Sequence, residues 1–433
     1  VKTHPDLLVL GAEQIVTCAP PGDLDRPLAG KAQGDAGVIE RAAVAVADGL
    51  ILAVGPADEV MRDYPPLEGH TRVIHADGRI VVPGFVDAHT HLVYAGSRHR
   101  EHAMRLAGAK YLDILAAGGG ILSTVRATRA ASLEELTEIA RRRLDLMLLH
   151  GTTAAEAKSG YGLDIDTELR QIQAAFNASS ASPVQVVSTF MGAHAVPPEF
   201  RAEGAEAYID YVCEEVLPHI AAQGIARFCD VFCEKGVFTV DQSRQVLLAG
   251  RRRGLIPKVH ADELAPSGGA ELAAEVEAIS AEHLAAASPE GIDAMARAGV
   301  IAVLLPATMF TLMSDAYADA RAMIAGGVPV ALATDFNPGT SPTLSMPFVI
   351  TLACLQMKMT PAEAIVAATR NAACAIGLGS TAGVLAPGRP ATFAVLDVEH
   401  VDALPFYVGM NPVKQVVVRG ELVVDAGALV RRM

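Results

Sequence analysis

Eight short apolar runs alternating with helical stretches predict an α/β chain built on a parallel (β/α)8 TIM barrel. Short runs broken by turns at both ends predict a small β-sandwich domain built from both termini. A doubly wound open sheet is the competing arrangement, and it wants a glycine-rich phosphate turn after its first strand. None is present. The 433 residues exceed one ordinary domain and suit a barrel with an appendage.

The elements follow in order. Leu7–Leu10, Ala43–Ala47, Leu50–Val54 and Arg72–His75 are apolar runs, with Asp48-Gly49 and Asp77-Gly78 as turn dipeptides. Asp-Gly between alternating runs is a hairpin signal, so residues 1–79 are expected to form a small antiparallel sheet. Residues 20–38, rich in Pro, Gly, Asp and Ala, read as a loop. The barrel is expected over 80–380, with strands at Val81–His91, Thr152–Lys158, Val184–His194, Phe228–Lys235, Ile256–Asp262, Ala278–His283, Val300–Pro306 and Val328–Asp335. Ser132-Leu133-Glu134-Glu135 is a capping box that opens a helix to about Leu149. Further helices are expected over Thr167–Asn177, Glu203–Gln223, Val240–Arg253, Gly269–Val276, Pro289–Ala298 and Ala316–Ala325. Gly224, Gly254, Gly299 and Gly326 are placed to end four of them. Ala391–Leu396, Gln415–Val418 and Leu422–Val424, with Arg419-Gly420 as a turn, return to the β pattern, so 381–433 is expected to complete the terminal domain.

Composition excludes several classes. The chain is 51% hydrophobic and 19% charged, which fits a globular protein and not a disordered one. No apolar run approaches the roughly 20 residues of a membrane span, and Val1 to Asp6 lack the apolar core of a secretory signal. A net charge of −14 argues against nucleic acid and anionic membrane as partners. An anionic small molecule would need local cations to hold it. The six cysteines read as buried free thiols in a reducing cytoplasm, and Cys229 with Cys233 has no second pair to make a metal site.

The chemistry is expected at the carboxyl ends of the strands. Ile80–Leu92 reads IVVPGFVDAHTHL, a strand ending in His89 and His91. Positions i and i+2 of a strand share a face, so both imidazoles can converge on one cation. Later strand ends bring Lys158, His194, Glu234 with Lys235, His260 with Glu263, His283 and Asp335. Core histidines satisfied by backbone account for one or two such ends, but poorly for four in a chain of 13 histidines.

This pattern resembles the amidohydrolase superfamily of metal-dependent hydrolases. Within it, the chain is similar to the branch that opens the imidazolone ring in histidine degradation. The resembling segments are DAHTHLVYAGSR (Asp87–Arg98), AKSGYGL (Ala157–Leu163), MGAHAVP (Met191–Pro197), FCEKGVF (Phe232–Phe238), VHADEL (Val259–Leu264), AVLLP (Ala302–Pro306) and ATDFNPGT (Ala333–Thr340). TRNAACAIGL (Thr369–Leu378) and APGR (Ala386–Arg389) fit the tail. Thr340 stands where serine is expected, and both carry a hydroxyl.

The resemblance implies a hydrolase opening 4-imidazolone-5-propanoate to N-formimino-L-glutamate. It implies one metal ion per chain, zinc or iron, held by His89, His91, His260 and Asp335. Such an ion lowers the pKa of a bound water from about 16 to about 7. Glu263, spaced from His260 as in the superfamily's adenosine deaminases, is expected to protonate the leaving nitrogen. His283 is expected to hydrogen-bond the water or the developing oxyanion, with Asp335 as the third catalytic group. Implied substrate contacts are Arg98, Tyr161, His194, Glu263, Asn337, Gly339 and Thr340. Arg98 suits a carboxylate tail, because a guanidinium pairs with carboxylate through two parallel bonds. Glu234 and Lys235 stand near the place of a bridging lysine in dinuclear relatives, although the resemblance implies a single ion. A related enzyme acting on another cyclic amide or amidine, such as a purine or pyrimidine, would share the metal site without needing Arg98. A non-catalytic assembly protein is opposed by the intact ligand set. The partner is expected to be a small anionic substrate, and a homodimer is left open.

Overall fold

The computed structural model describes residues 4–109 and 118–430. The outermost three residues of each expected terminal segment therefore lie outside the described residues. Strands are numbered in chain order: β1 Leu7–Val16, β2 Val38–Ala47, β3 Leu50–Pro56, β4 Arg72–His75, β5 Ile80–Pro83, β6 Phe85–Asp87, β7 Thr152–Lys158, β8 Gln185–Ala193, β9 Phe228–Cys233, β10 Ile256–Ala261, β11 Ser280–His283, β12 Ile301–Leu304, β13 Val330–Leu332, β14 Phe393–Leu396, β15 Val413–Val418, β16 Glu421–Asp425 and β17 Ala428–Leu429.

Strands β6 to β13 pair in sequence order, and each neighbouring pair runs parallel. The ring is drawn together beyond β13. Thr90 and Phe336 form a parallel bridge, the His91 N–H donates to the Phe336 carbonyl at 2.9 Å, and the Asp335 N–H donates to the His89 carbonyl at 3.0 Å. Asp87 adds a clasp, accepting from the Thr334 N–H at 2.9 Å and hydroxyl at 2.6 Å. First and last strands thus meet where His89, His91 and Asp335 emerge.

The terminal segments form one mixed nine-stranded sheet, β17-β16-β15-β14-β5-β1-β2-β3, with β4 also on β1. Two expected hairpins form. Asp48-Gly49 joins antiparallel β2 and β3, and Arg419-Gly420 joins β15 and β16, all four residues at positive φ. Asp77-Gly78 does not make a hairpin. β4 and β5 both run parallel to β1 and do not pair with each other. The turn bulges opposite a register shift in β1, where the Gly78 N–H donates to the Gly11 carbonyl at 2.8 Å. The segment is therefore mixed and not purely antiparallel.

The expected strand over 81–91 is two elements. β5 is antiparallel to β14 in the terminal sheet, whereas β6 starts the barrel. Between them sits Gly84, where a Cβ would lie 2.6 Å from Thr153 Cγ2. Apolar composition runs unbroken across this exchange of sheets, so hydrophobicity alone does not reveal it.

The Ser132 capping box is present and opens Leu133–Leu149. Glu203–Gln223 is helical from Gly204, with a π turn over Val212–Val216. The last predicted helix is shorter, Ala320–Ala325, because the Asp319 side chain caps it. Its terminal left-handed residue is Gly327 at φ 87°, not Gly326 at φ −73°. In the tail motif, the Asn371 amide donates to the Leu28 and Val330 carbonyls and accepts from the Leu28 N–H. Arg370 donates to the Cys18, Asp23 and Arg26 carbonyls. The 20–38 loop is thereby clamped to the barrel. All six cysteines are free, five of them buried. Among the described residues, no helix is long and apolar enough to cross a membrane.

Candidate metal and active site

His89 and His91 follow β6, with ring centroids 5.4 Å apart. Thr90 between them turns away and donates to the Glu156 carbonyl at 2.6 Å, as alternation along a strand requires. His260, on β10, lies 4.5 Å from His89 and 5.6 Å from His91. His283 ends β11 at 5.2 Å from His260. His283 and Asp335 both have left-handed backbone, at φ 74° and 51°. Such conformations cost energy in non-glycine residues and cluster where side chains must be aimed.

Ligand-capable atoms of His89, His91 and Asp335 lie within 4.8 Å of one another, as do those of His89, His260 and His283. The two sets share His89. Asp335 Oδ1 stands 3.2 Å from His89 Nε2 and 3.8 Å from His91 Nε2, while its Oδ2 accepts from the Thr308 hydroxyl at 2.6 Å. Burial would raise Asp335, but His89 and Thr308 outweigh it and hold the carboxyl at about 2. Burial also keeps His91 and His283 neutral, well below the usual histidine range. His89 is pulled down by burial and up by Glu282 and Asp335, ending at about 9, so a positive charge is favoured where these groups meet. His260 Nε2 is buried without a hydrogen-bond partner. An unsatisfied buried lone pair is costly, and a cation resolves the cost. The donor set of imidazoles and one carboxylate suits a divalent transition metal.

Glu263 follows β10, with its Oε2 3.6 Å from His283 Nδ1. Burial raises its pKa to about 8, helped by the Asp335 and Glu234 carboxylates. The side chain is therefore a protonated acid at neutral pH. Asp262, itself at φ 51°, aims it by accepting from the N–H groups of Ser267, Gly269 and Ala270. Glu234 is buried and accepts from the Leu264 N–H at 2.9 Å and the Ser267 hydroxyl at 2.8 Å. It braces that loop, and Lys235 is exposed. Neither is placed as a metal bridge, because the Glu234 carboxylate is spent on the loop and the Lys235 side chain lies at the surface.

The implied substrate residues gather on one side. His194 stacks on His91 at 5.0 Å and contacts the Gly160 carbonyl through Nδ1 at 3.0 Å. Tyr161 lies 5.6 Å from His91 and 5.3 Å from His194. Its loop is held by buried Glu168, which accepts from the N–H groups of Gly160, Gly162 and Leu163. Arg98 Nε donates to Glu101 at 2.8 Å. The far end of the guanidinium lies on Gly339, where a Cβ would overlap Nη1 and stand 2.8 Å from Cζ. Asn337 spends its amide inside its own loop, accepting from the N–H groups of Gly339 and Thr340, both at 2.8 Å.

Five charged residues beneath the histidines carried no predicted role: Glu156, Lys158, Asp230, Lys258 and Glu282, all buried. Of these, the sequence pattern marks Lys158 alone, as a strand end. Lys158 Nζ lies 2.9 Å from Glu156, 2.7 Å from Asp230 and 2.7 Å from Glu282. Lys258 Nζ lies 2.8 Å from Glu156 and 2.8 Å from Glu282. The available signal was charge at alternate positions of otherwise apolar strands, as in Glu156 and Lys158 of β7.

Residues 80–423 match the model of the amidohydrolase family, and residues 42–66 match an imidazolonepropionase-like composite domain of bacteria. Imidazolonepropionase of Geobacillus kaustophilus is 52% identical over 421 residues, covering 97% of this chain and 98% of that one. The chain belongs to the amidohydrolase family, on its imidazolonepropionase branch. Imidazolonepropionase of Symbiobacterium thermophilum is 51% identical, with 99% of each chain covered. An adenosine deaminase from Xanthomonas campestris with bound zinc shares the fold, at TM-score 0.70 and 18% identity over 99% of this chain and 95% of that one. Family membership and the histidine–aspartate cluster together support a metal cofactor.

Proposed function

We infer that this chain hydrolyses 4-imidazolone-5-propanoate to N-formimino-L-glutamate, a step of histidine catabolism. The observation that carries the reading is the near-full-length likeness to imidazolonepropionases, and the chemistry of the site agrees with it. His89, His91, His260 and Asp335 would hold one zinc or iron ion. When bound, the ion supplies Lewis acidity toward the ring carbonyl and the attacking water.

The remaining work falls to side chains. A water oxygen bonds to the lactam-like ring carbonyl carbon, the ring C–N bond breaks, and the departing nitrogen needs a proton. Glu263, protonated at neutral pH, supplies it. Asp335 is oriented by Thr308 to accept the proton that the water loses. Neutral His283 donates a hydrogen bond to the oxygen on which charge develops. Arg98 pairs with the propanoate, with Gly339 leaving room for the guanidinium. Tyr161 and His194 line the ring's side, and Asn337 holds the Gly339–Thr340 turn beside it.

A count of one ion is supported by Lys158. Acidic groups that could take a second cation, His89 with Glu156 and Glu282, or Asp230 with His260 and Glu282, already surround its ammonium. Six free cysteines suit a reducing cytoplasm. The test is to incubate the protein with fresh 4-imidazolone-5-propanoate and follow loss of ring ultraviolet absorbance and appearance of formiminoglutamate. Turnover of this substrate, with adenosine and cytosine inert, is expected. The reverse preference would overturn the reading.

A further inference from the structure

We propose that Lys158 is a positioning residue for the metal site, its ammonium holding the two carboxylates that orient His89 and His260. The inference rests on the metal site of the reading above, though not on the identity of the substrate. An imidazole offers the metal one nitrogen, and the hydrogen bond made by the other nitrogen selects which. Glu282 Oε2 stands 2.5 Å from His89 Nδ1, and Asp230 Oδ2 stands 2.9 Å from His260 Nδ1. A carboxylate oxygen at that distance draws the ring proton to Nδ1 and leaves Nε2 for the ligand cluster.

The oxygen that faces each imidazole is the same oxygen that faces Lys158, at 2.7 Å in both cases. One ammonium thus fixes the acceptor of both ligands, one on β6 and one on β10. The opposite ends of the carboxylates are also tied. Asp230 Oδ1 accepts from the His260 N–H at 3.1 Å. Glu282 Oε1 lies 2.8 Å from Lys258 Nζ, which also donates to the Ala88 carbonyl at 3.3 Å, next to His89.

A purely structural role explains this poorly. A buried ion network is often no more stabilising than apolar side chains of the same volume, whereas this one directs an oxygen at each of two ligand rings. With Lys158 gone, Asp230 and Glu282 face each other without a cation between them, and each carboxylate is held only through its other oxygen.

The experiment measures zinc affinity by competition with a chromogenic chelator in the full chain, without substrate. The variants are Lys158→Met, Asp230→Asn and Glu282→Gln, and thermal unfolding of each metal-free protein is recorded. Loss of such an outer partner typically weakens metal binding about 10- to 100-fold, and that loss is expected for each variant. Asp230→Asn should add little once Lys158 is Met, because both act on one oxygen. Nitrogen-15 histidine spectra of the metal-free protein, taken at a pH above the His89 value of about 9, should show His89 and His260 as Nδ1–H tautomers, mixed in Lys158→Met. Should Lys158→Met fail to fold, the two near-isosteric amides and the histidine spectra decide. Unchanged zinc affinity in the folded variants, or Nε2–H tautomers in the unmodified protein, overturns the proposal. Because no substrate enters the assay, its failure is distinct from failure of the assigned activity.

Discussion

At the carboxyl ends of the barrel strands, five histidines, Asp335 and Glu263 gather with polar atoms still unspent, such as His260 Nε2. One layer deeper, three carboxylates surround two lysines, which offset all but one of the negative charges. Both layers are buried and both are ionisable. The upper layer leaves capacity for a ligand. The lower consumes its own capacity and exports only direction, through Asp230 and Glu282 to the imidazoles. Buried polarity alone therefore does not mark a reactive site, because the deeper carboxylates converge on ammonium groups.

The contrast can be broken at the upper layer first. His260→Ala is expected to abolish both metal retention and turnover while circular dichroism stays that of the folded protein, since a barrel of this size does not hang on one ligand. A variant that kept its metal would remove His260 from the ligand set.

Glu263→Gln is expected to keep the metal and lose about 10²- to 10⁴-fold in kcat, the usual worth of general acid–base assistance. Its raised pKa also sets a pH dependence. A general acid must be protonated, so activity in the unmodified enzyme should fall as pH rises through about 8, and this limb should vanish in the glutamine variant. A kcat within a few-fold of the unmodified enzyme would exclude the role.

Arg98→Ala leaves a desolvated carboxylate unpaired, at about 2–5 kcal/mol, so kcat/KM should fall roughly 30- to 4,000-fold. On an imidazolone lacking the propanoate, variant and unmodified enzyme should be about equally slow. A variant still far worse on the truncated ring would show that Arg98 serves something else. Gly339→Ala should have the smallest effect, roughly tenfold in KM, because the new methyl displaces the guanidinium without removing it. An unchanged KM would mean that the guanidinium has room to move aside.

The two layers also differ in how much of them could be read from the sequence. The upper one announces itself, since histidine is scarce and His89, His91, His194, His260 and His283 fall at or near the ends of strands whose alternation with helices predicts the barrel. The lower one is hidden because Glu156, Lys158, Asp230, Lys258 and Glu282 are common residue types scattered over four strands. Nothing local says that their side chains meet on the barrel axis. The division at Gly84 is hidden for a similar reason. IVVPGFV is apolar throughout, and only tertiary pairing decides that β5 joins the terminal sheet while β6 joins the barrel. Capping at Ser132 was legible because it depends on residues three apart in sequence.

The most direct measurement is a titration of the metal-free protein with zinc or iron(II), following turnover of 4-imidazolone-5-propanoate at each addition. With Lys158 standing among the carboxylates that a second ion would need, activity is expected to rise linearly to one equivalent per chain and stop. A rise that continues to two equivalents, or a metal-free protein as active as the loaded one, would contradict the account.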